Sequence, residues 1–276
     1  MSDWAAILLG MNETTLTKPR PKFVETLLAE KHSIPLSIAL HLVPGALIVA
    51  VYAFVAAPVV RAIHYPPFLA WAIALAVVLF PLLLGMAWLG RQVTGRYCLR
   101  GGALRYLDRP VSRGKVTALI VGCLLWMTVV SLSLTPLDNF LYDNAFSWIH
   151  YAGTGDSATS YLNGYSQQKL LTTLLICGPF TGWFLPLIEE YYFRGFLLPR
   201  LPQLRGWAPI FNVFFFSVYH FWAPWTVLSK LVFLYPGVHL AWKKRDIRIS
   251  IGMHPGSALL LTVVGVVAVA MGRTSL

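Results

Sequence analysis

Two adjacent glutamates, Glu189 and Glu190, stand in the apolar run "LIEEYYFRGFLLPR" at 187–200, with Arg194 four residues after the second. A buried carboxylate in such a run needs a partner or a task. On a helix, Glu190 and Arg194 are spaced i,i+4 and share a face. Glu189 is turned about 100° away. One carboxylate can then be held ionised while the other faces a cavity. The plainer alternative is an interfacial cluster of snorkelling charges. Glu189 lies eleven residues before Arg200, about 17 Å along a straight helix. That is deep for such a cluster if Arg200 marks the surface.

Two histidines lie in later apolar runs, His220 in "FNVFFFSVYHFW" and His254 in "ISIGMHPGSALL". Each alone is more often a hydrogen-bonded structural histidine. Measured from Arg205 and Arg248, they stand about 22 Å and 9 Å along their helices, depths that do not agree. Pro255 suits a first helical turn and would set His254 at the mouth of the last helix. Two histidines and a carboxylate can bind zinc and leave a position for water. A carboxylate and a histidine can also activate water without metal. Either gives hydrolysis, and a proton or cation pathway uses the same residue types.

The elements that must position these groups are membrane helices. The chain has 276 residues, 57% hydrophobic and 12% charged, with mean hydropathy +0.64. A soluble domain would carry about 25% charge. The expected fold class is therefore all-α, a polytopic helical bundle, with spans at 35–60, 68–90, 116–136, 170–198, 207–222, 225–242 and 250–272. Three parts are expected: an N-terminal cytoplasmic segment (1–34), transmembrane helices and loops (35–169), and a transmembrane core (170–276) that holds the residues above, the part that the resemblance described below implies to be catalytic. The N-terminus lacks the pattern of a signal peptide. Cys98, Cys123 and Cys177 form neither a disulfide framework nor a metal-type spacing.

The net charge is +11. The basic residues cluster between apolar runs, which favours a lipid bilayer and not nucleic acid as partner. Lys18, Arg20, Lys22 and Lys31 precede the first span, and the loop at 91–115 holds seven Lys/Arg. Arg194, Arg200 and Arg205 follow the fourth span and "WKKRDIR" the sixth. An internal N-terminus and seven spans put all four clusters in the cytoplasm and the C-terminus outside. The opposite loops carry Arg61, Asp138, Asp143 and Asp156, and the sequon at Asn12 would matter only on an external tail. Pro179 and Pro186 would kink the fourth span and could widen the bundle beside the glutamates, though membrane helices often hold proline without catalytic meaning. The basic loop reads as a topology determinant near anionic lipid. "LDNFLYDN" at 137–144 reads as a polar cap on a span end, and 153–169 as a solvated external loop. His32, His41, His64, His150 and His239 match no motif.

"EEYYFR" at 189–194 fits EExxxR, and "FSVYH" at 216–220 fits FxxxH. "WKKRDIRISIGMH" is similar to a third motif in which a histidine opens the closing helix. Together, in order, these resemble the CPBP family of CAAX prenyl proteases and bacteriocin-processing or immunity (Abi-like) membrane proteins, over roughly 170–272. The resemblance implies a glutamate-dependent intramembrane endopeptidase open to the cytosol. Its substrate would be a membrane-associated protein or peptide, CAAX-type prenylated substrates included. By the same resemblance, Glu189 would activate water with His220 as partner. Glu190 and Arg194 would support that pair, and His254 would polarise the carbonyl or hold the oxyanion. Such enzymes are described both as metal-free glutamate proteases, needing no cofactor, and as metalloproteases. In the second case a divalent metal such as zinc would fall to Glu189, His220 and His254. The metal-free form is the reading preferred here.

One position departs from the pattern. Four residues after His254, where the family usually has asparagine or another polar residue, stands Ala258, and Ser257 beside it is on another face. Loss of one oxyanion donor commonly costs about 100- to 1,000-fold in rate. A weakly active or inactive binding or immunity protein of the same fold is therefore the alternative.

Overall fold

The computed structural model describes residues 20–149 and 164–272. Asn12, Lys18, His150, Asp156 and most of the 153–169 loop lie outside the described residues. The described residues are helical and contain no strand. After a short helix α1 (Lys22–Leu28) come α2 (Ile34–Ala62), α3 (Pro67–Thr94), α4 (Arg113–Phe146) and α5 (Gln167–Arg200). Then follow α6 (Ala208–Tyr219), α7 (Val227–Lys244) and α8 (Arg248–Ala270). An all-α polytopic membrane bundle is the architecture.

Local chemistry sets the helix ends. Ser33 Oγ accepts the Leu36 N–H at the start of α2, and Ser166 does the same for Lys169 ahead of α5, as N-cap serines do. Gly95 closes α3 in the left-handed conformation, with φ 77°.

Helices stand at each of the seven expected spans, but five are long and apolar enough to cross a membrane: α2, α3, α4, α5 and α8. α6 has 12 residues, about 18 Å at 1.5 Å per residue, against a hydrocarbon core of about 30 Å. Pro224 keeps the helix from resuming just beyond it, because it disfavours helical backbone at Ala223, which sits at φ −145°, ψ 59°. The chain has already left the helix at His220, at φ −78°, ψ 59°. The third span runs further than expected, and "LDNFLYDN" continues the helix instead of ending it.

α5 is the centre of the bundle. It holds Pro179 and Pro186 and passes through two π-helical stretches, Phe180–Phe184 and Glu190–Leu197. A π-turn widens a helix locally and re-aims its side chains. The Glu190–Leu197 stretch touches α2, α3, α6, α7 and α8. Phe193, Leu197, Val213, Phe216 and Tyr219 are buried around it, while Leu84, Leu132 and Leu261 stay largely exposed on the outer faces, where lipid would cover them.

Two polar clamps fix α2 against α5 and α6. Asn212 donates to the Phe193 carbonyl at 2.9 Å and meets His41 Nε2 at 3.0 Å. Tyr192 donates to the Leu40 carbonyl at 2.8 Å. Gly45 lets the two helices close, since a Cβ there would collide with the Tyr219 carbonyl. His41, which matches no motif, thus has a structural part.

The basic loop is more than a charge marker. The Arg105 N–H donates to the Gly195 carbonyl at 2.9 Å, and the Ile247 N–H donates to the Tyr106 carbonyl at 3.1 Å. Arg200 donates to the carbonyls of Phe196 and Ala103 and is 3% exposed. Arg200 is therefore covered by the basic loop and does not snorkel to solvent.

Candidate active site

Glu189 ends the regular turn after Pro186, and Glu190 opens the π-helical stretch. Glu190 and Arg194 lie on one face and pair at 3.3 Å, both with fully buried side chains. The approach is an ion pair more than an aligned hydrogen bond. The guanidinium lies over the Phe216 ring, 3.9 Å from its centroid, a desolvated cation–π contact. Glu189 accepts a hydrogen bond from the Tyr219 hydroxyl at 2.9 Å.

α8 brings His254 to both carboxylates. Its Nδ1 lies 2.9 Å from Glu190 Oε1, and its Nε2 lies 3.9 Å from Glu189 Oε2. The ring packs edge-on to Phe216 at 5.5 Å. Gly237 permits this approach of α7 and α8, since a Cβ there would meet Met253. Ser257 donates back to the His254 carbonyl at 2.8 Å, and the Ala258 carbonyl accepts from Thr262.

His220 ends α6 beside Phe216 and Trp222, with centroids 4.9 Å away in each case. Its Nδ1 lies 2.9 Å from the Phe216 carbonyl. A carbonyl accepts only, so the neutral ring carries its proton on Nδ1 and leaves Nε2 as an acceptor.

The structure thus brings together Glu189, Glu190, Arg194 and His254, with His220 next to Tyr219 at the edge. Among the described residues, Glu189 makes no hydrogen bond to His220; Tyr219 takes that place. Nor do three His, Cys, Asp or Glu side chains converge as a metal-ligand set among the described residues. His254 Nδ1 meets Glu190 and His220 Nδ1 a backbone carbonyl, so in each ring Nε2 is the nitrogen those bonds leave available.

Three further residues shape the site. Tyr219 precedes the motif histidine, and its position inside "FSVYH" is the signal that could have marked it. Phe216 is the aromatic of the same motif and stacks against Arg194, His220 and His254. Lys230 is a lone cation in the apolar "LSKLVF" of α7. It is close enough to Glu189, Asp138 and His220 to act on each electrostatically, yet it forms no hydrogen bond or ion pair among the described residues. Its neighbour Ser229 donates to Asp138 at 2.8 Å, so Asp138 belongs to the α4–α7 contact and is not merely a helix cap.

No curated protein and no solved structure matches the chain. Residues 171–260 match the family model of the type II CAAX prenyl endopeptidase Rce1-like proteins. The match takes in the two glutamates, Arg194, both histidines and Ala258. That match supports the CPBP family of CAAX-type membrane proteases over this segment.

Proposed function

We propose that this chain is an intramembrane endopeptidase that cleaves a membrane-associated protein or peptide, with Glu189 and His220 activating the attacking water. The carrying observation is the convergence of His254 on both glutamates, with Glu189 oriented by Tyr219. Glu189 accepts the water proton as the water oxygen bonds to the scissile carbonyl carbon. His220, whose Nε2 is the accepting nitrogen, orients that water. When the tetrahedral adduct collapses, the C–N bond breaks and the proton passes to the departing amine. Glu190, held by Arg194, fixes His254 through Nδ1.

Charge develops on the former carbonyl oxygen, and donors aimed at it lower the barrier. Position 258 supplies no side-chain donor, and the Ser257 hydroxyl is spent on the His254 carbonyl. Lys230 and His254 are the donors in this reading, His254 through Nε2 with both ring nitrogens protonated between the two carboxylates. No metal is assigned a step in this reading, and if one is present Glu189, His220 and His254 would hold it. The catalytic core is taken as 170–276. The N-terminus is placed in the cytoplasm and the C-terminus outside, on the alternation of the basic clusters.

Ala258 favours one second reading, a weakly active or inactive binding or immunity protein. Cleavage of a panel of membrane-tethered reporter peptides separates the two, with Glu189→Gln beside wild type and a chelator arm. Cleavage by wild type that is lost in Glu189→Gln and kept under chelation is expected. Inert wild-type protein that is correctly folded would favour the binding reading, and loss under chelation would overturn the metal-free mechanism.

A further inference from the structure

At the basic end of the bundle, a cavity of about 400 Å³ opens between three separate segments. Arg205 comes from the turn after α5, Lys243 and Arg245 from the end of α7, and Tyr106 from the basic loop. Trp242 completes the wall. No carboxylate lines it. Arg205, Lys243 and Arg245 form no ion pair or hydrogen bond through their side chains among the described residues. The neighbouring cavity, of about 520 Å³, shares Tyr106, Pro199 and Arg245 with it but also contains Glu30 and Asp108, and Glu30 pairs with Arg105 at 2.6 Å.

A last-turn lysine alone would be explained by the helix dipole. Three unpaired cations around one cavity, two from the end of α7 and one from the turn after α5, are not. The walls are also fixed. Tyr106 is tied to Ile247 through its carbonyl, and Arg105 to Gly195 through its N–H. Tyr106, Arg205 and Arg245 all have positive φ, at 64°, 45° and 54°. Non-glycine residues rarely hold that conformation without cause. Trp207, 70% exposed at the same turn, and Trp242 have the amphipathic character of residues at a membrane–water interface.

We infer that this cavity binds the phosphate of an anionic glycerophospholipid headgroup from the leaflet on the basic side. Guanidinium groups take phosphate oxygens in pairs, and the lysine adds a point charge. A phosphodiester at the interface meets all three cations in a cavity whose own lining holds no carboxylate. Binding there holds whether or not the chain cleaves peptides.

The test uses the full-length chain in detergent, with retained lipid counted by native mass spectrometry. Phosphatidylglycerol, phosphatidylcholine and inorganic phosphate are added separately. Wild type is expected to retain phosphatidylglycerol over phosphatidylcholine. The Arg205→Gln/Lys243→Gln/Arg245→Gln variant should bind it roughly 100-fold more weakly, at about 1 kcal/mol per basic residue. A charge-matched control, Arg96→Gln/Arg113→Gln/Lys115→Gln, removes exposed cations away from the cavity and should retain lipid as wild type does. Should the triple variant unfold, Lys243→Gln alone still tests the site, with roughly fivefold weakening expected. Equal retention by wild type and cavity variants overturns the inference. So does equal loss in the control, which would mean diffuse charge only. Saturation by inorganic phosphate with no lipid preference overturns the choice of lipid.

Discussion

The Tyr219 hydroxyl donates to Glu189 Oε1 at 2.9 Å, so the residue beside the motif histidine, and not His220 itself, orients the candidate base. In the proposed mechanism this bond fixes the carboxylate rotamer. Tyr219→Phe removes it and keeps the ring that packs on Phe193 and Phe216. A hydrogen bond to a charged group is worth about 1.5–3 kcal/mol, so reporter cleavage should fall roughly 10- to 100-fold. The fold should persist by thermal unfolding. Unchanged cleavage in Tyr219→Phe would remove the residue from the site.

Glu190 and Arg194 form the fully buried pair. Removing one partner of such a pair typically costs about 3–5 kcal/mol, because the other charge is left buried. Glu190→Gln and Arg194→Met should each lower thermal stability markedly. The double variant should be more stable than either single one, since no orphan charge remains. A double variant as unstable as the sum of both singles would contradict the pairing.

Lys230 tests the donor role beside Ala258. Lys230→Met keeps the length and apolar stem of the side chain and deletes the ammonium. The expected result is a kcat about 100-fold lower with KM little changed, as for loss of one oxyanion donor. Lys230→Arg should restore part of the rate. A change in KM alone would place Lys230 in substrate binding instead.

Asp246 gives a pH dependence outside the membrane helices. Burial raises its carboxyl, but hydrogen bonds from Arg248 and from the Val111 and Arg248 N–H groups outweigh that and hold it below the usual carboxylate range. A carboxyl depressed in the folded state adds stability above its unfolded value and loses it as pH falls through the folded value. Thermal stability should therefore drop through the acidic range. Asp246→Asn should lower stability at neutral pH and flatten that drop. An identical pH profile in the variant would rule the contact out as its source.

The sequence by itself determined the membrane bundle, because hydrophobic length and charge alternation are local properties that no packing detail can reverse. It also determined the Glu190–Arg194 pair, because i,i+4 neighbours share a helix face wherever the helix goes. What it could not determine was which histidine meets which carboxylate. The depths of Glu189, His220 and His254, counted along straight helices, disagree. Yet α8 sets His254 against both glutamates, because the packing of α8 on α5, which widens through two π-helical stretches, and not residue counting along straight helices decides which side chains meet. The same applies to Tyr219 and Lys230, which local pattern leaves unmarked. Their proximity to Glu189 joins residues about thirty or forty positions apart, and only the packing of α5, α6 and α7 brings them together. The short α6 was hidden for the same reason. Its apolar run reads as a span, whereas the turn at His220 ends the helix early, Pro224 keeps it from resuming just beyond, and the histidine is left at the edge of the site.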